Sequence, residues 1–255
     1  MFPIMTTVAT RYAPVVTWSL IAINALVFLL QVSLSPSGQE LFVLRYGLIP
    51  ARYFNPEWAA AHGIGGGAYM PFVTNIFLHG GWLHLILNMW ILYIFGPAIE
   101  DRLGSLRYLA FYMISGIGAG VAHAYFNASS VIPALGASGA IAGVMGAYMR
   151  LFPFSRLLVV VPVFIFPFFF ELYASVFVGI WLFMQLAQGI WGLLAGVAAM
   201  TGGIAWWAHI GGFAVGWVLI KPIRHGLETY RPYHRDEGEH GFLPNGQRTG
   251  KGPWL

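Results

Sequence analysis

The sequence predicts an all-α integral membrane protein built on six membrane-spanning helices. Three observations carry this. Only 9% of the 255 residues are charged while 58% are hydrophobic, whereas a soluble domain carries about 25% charged residues. Apolar runs recur at lengths near the ~20 residues that a helix needs to cross a hydrocarbon core. The basic residues fall almost entirely on one side of the resulting six-span arrangement. So little polar surface cannot coat a soluble globule, and a bilayer supplies the missing solvent. No long polar linker divides the chain. A single membrane domain is therefore expected over 15–222, between a short cytoplasmic N-terminal segment, 1–14, and a flexible polar tail, 223–255.

The first span, 15–33, follows a stretch with one basic residue, Arg11. It is too long for the core of a cleavable signal and reads as a helix that also directs insertion. The connection 34–78 contains Pro36, Pro50, Pro56 and several glycines. Its Tyr46, Tyr53, Phe54 and Trp58 suit an interfacial loop dipping into the headgroup region. The next three spans read as 79–99, 105–127 and 136–152. Segment 157–168 is apolar but interrupted by Pro162 and Pro167, and reads as an interfacial lead-in to a fifth span, 169–190. The Gly-rich, uncharged stretch 188–204 reads as a short re-entrant or capping loop. The sixth span is 205–222. No internal repeat of the transporter kind is visible.

With six spans both ends share one side. That side holds Arg11, Arg102, Arg107, Arg150, Arg156, Lys221, Arg224, Arg231, Arg235, Arg248 and Lys251; the other holds only Arg45 and Arg52. The positive-inside rule then places both termini in the cytoplasm. Five or seven spans would destroy this asymmetry. The net charge of +4 is thus accounted for by topology, and no nucleic-acid partner is expected. The absence of Cys excludes disulfides, thiol catalysis and Cys-ligated metals.

Three polar constellations interrupt the apolar spans. Gly136-Ala137-Ser138-Gly139 opens the fourth span. His209 stands near the start of the sixth, followed by Gly212 and Gly216. His79, His84 and Asn88 open the second. These three spans all start on the outer face, so Ser138, His209, His84 and Asn88 are expected at similar depth. His84 and Asn88, spaced i, i+4, share one helix face. Gly139, Gly143 and Gly146 would let the fourth span approach the Gly212/Gly216 face of the sixth. That contact would bring Ser138 and His209 within hydrogen-bond reach, as a base-activated serine requires. Glu100, Asp101 and Glu171 lie toward the cytoplasmic side, so the arrangement would be a Ser–His dyad with no carboxylate.

Each residue also has a structural reading. Gly-x-Ser-Gly on a membrane helix commonly serves packing, with the Ser bonded to its own helix. A membrane His is often a bundle-facing hydrogen bonder, and His123 reads so. His79, Gly80 and Gly81 fit an interfacial turn, and Glu171 an interfacial carboxylate at a helix start.

At these residues the chain resembles the rhomboid family of intramembrane proteases, from about residue 15 to 222. The resemblance rests on His79, His84 and Asn88 at their spacing, on Glu100 to Gly104, on Gly-Ala-Ser-Gly, and on Ala-His-x-x-Gly-x-x-x-Gly ending at Gly216. It implies a six-helix core with a water-filled active site open to the outer face. Ser138 would be the nucleophile and His209 the general base. The Ser138 N–H, His84, Asn88 and a contribution from Ala137 would stabilise the oxyanion. No metal or cofactor is implied. The implied partners are transmembrane protein substrates and the lipid bilayer, and the expected location is the bacterial cell (inner) membrane. Some family members stack an aromatic on the catalytic His from four residues after the nucleophile; here that position is Ala142. Two other readings stand beside this one: a non-catalytic relative that binds membrane clients, and a haem-carrying bundle using His79, His84, His123 or His209.

Overall fold

The structure is a computed structural model, and residues 1–64, 68–163, 166–194 and 205–225 are described here. A strand, β1 (Phe2–Thr6), precedes the first long helix, α1 (Val15–Ser33). The connection that follows carries four short helices: α2 (Pro36–Tyr46), α3 (Ala51–Phe54), α4 (Pro56–Ala61) and α5 (Pro71–Thr74). A 3₁₀ turn, Asn75–Phe77, leads into α6 (Trp82–Leu103). Then come α7 (Ser105–Phe126), α8 (Ser138–Leu151), the hairpin β2 (Arg156–Val163) and β3 (Phe166–Tyr173), α9 (Ala174–Leu194) and α10 (Trp206–Arg224).

Four of these helices, α1, α6, α7 and α9, are long and apolar enough to cross a membrane. The helix α10 carries Lys221 and Arg224 in its last turn. The remaining one, α8, has only 14 residues, a rise of about 21 Å against a ~30 Å hydrocarbon core. It is buried continuously from Gly139 to Tyr148, with α6, α7 and α10 packed around it. The outer helices instead expose large apolar side chains, among them Leu26, Leu30, Leu83, Ile86, Val121 and Phe183. Lipid is the solvent that such a surface needs. The expected mostly helical membrane protein is therefore the observed fold class, and the four membrane-length helices with α8 and α10 are consistent with the expected count of six.

Polar residues fix the helix ends. Pro14 precedes α1, and the buried Glu100 carboxylate of α6 closes its first turn. Glu100 accepts from the Val16 N–H at 2.8 Å, from the Thr17 N–H at 2.8 Å and from the Thr17 hydroxyl at 2.8 Å. Ser105 donates to it at 3.0 Å. Asp101 accepts the N–H groups of Arg11 and Tyr12 at 2.8 and 3.0 Å. A helix N-terminus leaves its first N–H groups without intrahelical acceptors and favours negative charge. The Glu100 carboxylate meets both needs, and Asp101 holds the segment just before the helix. At the same end of the bundle, Arg107 donates to the Ile223 carbonyl at 3.3 Å and Arg150 to that of Trp217.

The sheet departs from the sequence expectation. Residues 157–168 were expected to be an interfacial lead-in and 169 the start of the fifth span. Instead β2 and β3 pair in register from Arg156↔Tyr173 to Val163↔Phe166, with Pro162 opposite Pro167. The fifth helix begins only at Ala174. β-Branched and aromatic residues (Val159 to Val161, Phe168 to Phe170) favour strands, and prolines close to a hairpin turn remove few ladder donors. Glu171 lies on β3, where it pairs with Arg156 at 3.0 Å, and not at a helix start. Residues 2–6 of the supposed N-terminal segment form the third strand, antiparallel to β2. The Trp90 indole of α6 donates to the Pro3 carbonyl at 2.7 Å, and Tyr148 of α8 bonds both Thr6 and Ser155. Of the expected loop 188–204, residues 188–194 continue α9; the rest, like the tail beyond 225, lies outside the described residues.

The carboxylate of Glu100 is 3% exposed and has four donors, whereas the Arg156–Glu171 pair is half exposed. Glu100→Ala is therefore expected to lower stability by about 2–4 kcal/mol, and Glu171→Ala to change it by less than about 0.5 kcal/mol. Unfolding of the two purified variants in detergent measures both. Equal losses would contradict the assignment of Glu100 as the carboxylate that closes α1.

Candidate active site

The meeting of α8 and α10 builds the site. A Cβ added at Gly212 or Gly216 would fall on the carbonyl oxygen of Gly139 or Gly143, and one at Gly146 would meet the Phe213 carbonyl at 2.6 Å. The two glycine faces expected from the sequence are thus in backbone contact. Ser138 is the first residue of α8 and His209 the fourth of α10. The contact sets their side chains together: the Ser138 hydroxyl lies 2.9 Å from His209 Nε2. The other ring nitrogen, Nδ1, is 2.7 Å from Oε1 of Gln185 on α9.

Two indoles flank the imidazole. Trp181, one turn before Gln185 on α9, has its ring centroid 5.8 Å away at 41°. Trp206 approaches edge-on at 6.5 Å. With Ala142 buried in the α8 interior, the ring is supported from α9 and from the start of α10. The sequence reading missed Gln185 and Trp181. Two amides, Gln185 and Gln188, interrupt this apolar span; only Gln185 is buried, and the sequence alone does not say which of the two faces the bundle.

The approach to Ser138 is held by the long connection between α1 and α6. Leu48 and Ala134 exchange two backbone hydrogen bonds, at 3.2 and 2.8 Å, and the Gly136 N–H donates to the Asn75 carbonyl at 2.9 Å. Gly136 has φ +121°, and a Cβ there would meet the His84 imidazole at 2.9 Å and Asn88 Nδ2 at 3.4 Å. Glycine is needed on both counts. It lets His84 and Asn88 come up against the turn that delivers Ser138.

His84 and Asn88 line, with Ser138 and His209, a cavity of about 430 Å³ whose other walls include Met145 and Trp181. The Asn88 amide nitrogen is buried and has no hydrogen-bond partner among the described residues. The Gly80 N–H donates to His84 Nδ1 at 3.4 Å, which leaves the proton on Nε2, the ring edge nearest Gly136. Ala137 is fully buried at the N-cap of α8. The first N–H groups of that helix have no intrahelical acceptor. Behind Ser138 a second space of about 20 Å³, lined by His123 and Asn75, has room for one water.

Two histidines stand apart from Ser138. His79 is buried, its backbone exchanging hydrogen bonds with the Gln31 amide of α1 at 2.8 and 3.4 Å. Its ring meets that of His84 edge-on at 5.2 Å. His123 of α7 lies against Asn127 at 3.4 Å. Among the described residues no group of three His, Asp or Glu is placed to hold a metal ion.

A sequence model of the Rhomboid domain matches residues 66–225. The chain is also 30% identical over 166 residues to RHOMBOID-like protein 6, mitochondrial, of Arabidopsis thaliana, covering 62% of this chain and 46% of that one. It is 31% identical over 159 residues to Rhomboid protein 1, mitochondrial, of Saccharomyces cerevisiae, covering 59% and 42%. Over 86 residues it is 40% identical to Rhomboid protease GluP of Bacillus subtilis, covering 34% and 16%. The chain therefore spans less than half the length of these relatives. Because they include mitochondrial and bacterial proteins, a bacterial cell membrane does not follow from them.

The α8–α10 contact makes a sharp expectation. A methyl group at Gly212 must push backbone away from backbone, and a displacement of about 1 Å at reacting groups costs about 10²-fold in rate. Gly212→Ala is expected to lose about that much of whatever turnover the chain shows. Gly179→Ala, whose added Cβ meets nothing within 4 Å, should retain it. Turnover of a single-span protein substrate by both purified variants is the check, and an unimpaired Gly212→Ala contradicts the role given to the contact.

Proposed function

The chain belongs to the rhomboid family, and from that premise we propose that it is an intramembrane serine endopeptidase. The observation that carries the proposal is the 2.9 Å contact between the Ser138 hydroxyl and His209 Nε2, inside a cavity reached past two polar side chains. In this reading the substrates are membrane-anchored proteins, cut in or near their transmembrane segment. The 430 Å³ cavity supports that reading, because it has room for an extended peptide stretch between apolar walls.

The chemistry is acyl transfer. His209 takes the hydroxyl proton as Ser138 Oγ attacks the peptide carbonyl carbon, and the carbonyl π electrons move onto oxygen. The oxyanion then needs donors. The Asn88 amide nitrogen, buried without a partner, and the His84 Nε2–H are suited to it. The Ser138 N–H and the Ala137 N–H at the N-terminus of α8 add to them, where the helix dipole also favours negative charge. Collapse of the intermediate breaks the C–N bond, and His209 gives its proton to the leaving amine. A water, deprotonated in turn by His209, releases the acyl group from Ser138. No cofactor takes part in this scheme.

A haem-ligating role for His209 would require one ring nitrogen to leave Ser138 or Gln185. A non-catalytic client binder would have no use for an aligned hydroxyl and imidazole. Both readings predict that the chain does not cut protein.

Ser138→Ala and His209→Ala should each abolish cleavage of a single-span substrate while leaving unfolding in detergent unchanged. Asn88→Ala and His84→Ala should each lose about 10–10³ in turnover, with little change in apparent affinity, because the interaction strengthens only as charge develops. Cleavage by Ser138→Ala at the wild-type rate would sink the proposal. The topology expected from the charges places Glu57 outside and Lys221 in the cytoplasm. Since the chain has no Cys, single cysteines introduced at these two positions report directly. Labelling of Lys221→Cys from the outer side by an impermeant thiol reagent would contradict the arrangement.

A further inference from the structure

We propose that Gln185 is the positioning residue of the Ser138–His209 pair, holding His209 in the one tautomer that can accept the serine proton. The inference rests on the protease reading above. It goes beyond it by naming a third member contributed by α9.

Both nitrogens of the His209 imidazole have partners. A neutral ring carries one N–H and one lone pair. Oε1 of Gln185, 2.7 Å from Nδ1, can only accept a hydrogen bond. The proton therefore sits on Nδ1, and the lone pair sits on Nε2, facing the Ser138 hydroxyl at 2.9 Å. With the amide turned over, its NH₂ would face Nδ1 and drive the proton to Nε2, where the ring could no longer act as a base. An acceptor at Nδ1 is thus a requirement of the chemistry. Elsewhere an Asp or Glu meets this requirement. In this chain Glu100 is committed to the first turn of α1, Asp101 to the backbone of Arg11 and Tyr12 just before it, and Glu171 to Arg156 on the sheet.

The setting of Gln185 fits a dedicated role. It is 6% exposed, while its neighbours Phe183, Met184 and Leu186 are 70%, 44% and 37% exposed. An amide buried in an apolar helix is costly unless hydrogen-bonded. Trp181 stands four residues before it, on the same helix face, and its ring also contacts His209. Helix α9 thereby supplies both the acceptor and the aromatic wall that position 142, an Ala, does not. A neutral amide orients the ring but stabilises the imidazolium less than a carboxylate would.

The test uses the full chain with Gln185→Leu and Gln185→Glu. Gln185→Leu is expected to lose about 10–10² in kcat, less than the ~10⁴ that follows loss of the buried carboxylate in soluble triads, with KM within about twofold. Gln185→Glu keeps the acceptor and adds charge. It should recover most of the lost turnover at high pH, with the acid limb of its pH–rate profile moved to higher pH because the carboxylate favours the imidazolium. Wild-type kcat in Gln185→Leu overturns the inference. So do equal losses in both variants with an unmoved pH profile, since a purely structural role predicts them. If Gln185→Leu does not fold, ¹⁵N-histidine spectra of the wild-type protein decide, with His209 assigned by its absence in His209→Ala. A protonated Nδ1 and an unprotonated Nε2 support the proposal, and the reverse overturns it. A Ser138→Ala protein that still cuts substrate would remove the underlying protease reading. Full activity in Gln185→Leu beside an inactive Ser138→Ala removes only the role of Gln185.

Discussion

Backbone contact between α8 and α10 is the constraint on which the rest of the site depends. Lipid tails are as apolar as leucine, so no hydrophobic force drives two membrane helices together. Association depends on close packing, which small residues permit. Gly212 and Gly216 rest on the backbone of Gly139 and Gly143, and Gly146 on the Phe213 carbonyl, with no space for a Cβ, while Gly139 and Gly143 themselves admit Ala119 and Ser115 of α7. That packing sets the start of α8 against the first turn of α10, where a hydroxymethyl group and an imidazole meet at 2.9 Å.

The second constraint follows from the first. Helix α8 must be enclosed to be held so tightly, and it is too short to span a bilayer. Its N-terminus is reached by an irregular segment, 127–137, whose backbone needs partners wherever water is scarce. The connection between α1 and α6 supplies them through Leu48 and Asn75. In turn it is held by Gln31 of α1 through the backbone of His79. At the opposite end the carboxylate of Glu100 and the guanidinium of Arg107 close helix termini, while Asp101 holds the segment before α1 and Arg150 ties α8 to α10.

Much of this was legible in the sequence, for identifiable reasons. The first span ends where expected because Pro14 and the turn at Ser35–Pro36 bound it on both sides. Ser138, His209, His84 and Asn88 stood out because a polar residue in an apolar run is conspicuous, and arithmetic on span starts put them at one depth. The hairpin did not stand out. A continuous apolar run cannot be assigned to helix or strand by hydropathy, and Pro162 and Pro167 read as interruptions of an interfacial lead-in, whereas they face each other near a turn. The strand Phe2–Thr6 pairs with residues more than 150 positions away, a contact that no local pattern encodes. Gln185 escaped for a different reason. It belongs to no motif, and its meaning comes only from a ring nitrogen contributed by another helix.

The account holds that Ser138 is an activated nucleophile and not a packing hydroxyl, and covalent labelling tests this most directly. A fluorophosphonate probe applied to the detergent-purified chain, followed by peptide mass spectrometry, should place the adduct on Ser138 in the wild-type protein. Labelling should fall to background in His209→Ala, although the serine remains. An adduct on a different serine, or equal labelling of Ser138 with and without His209, would contradict the account.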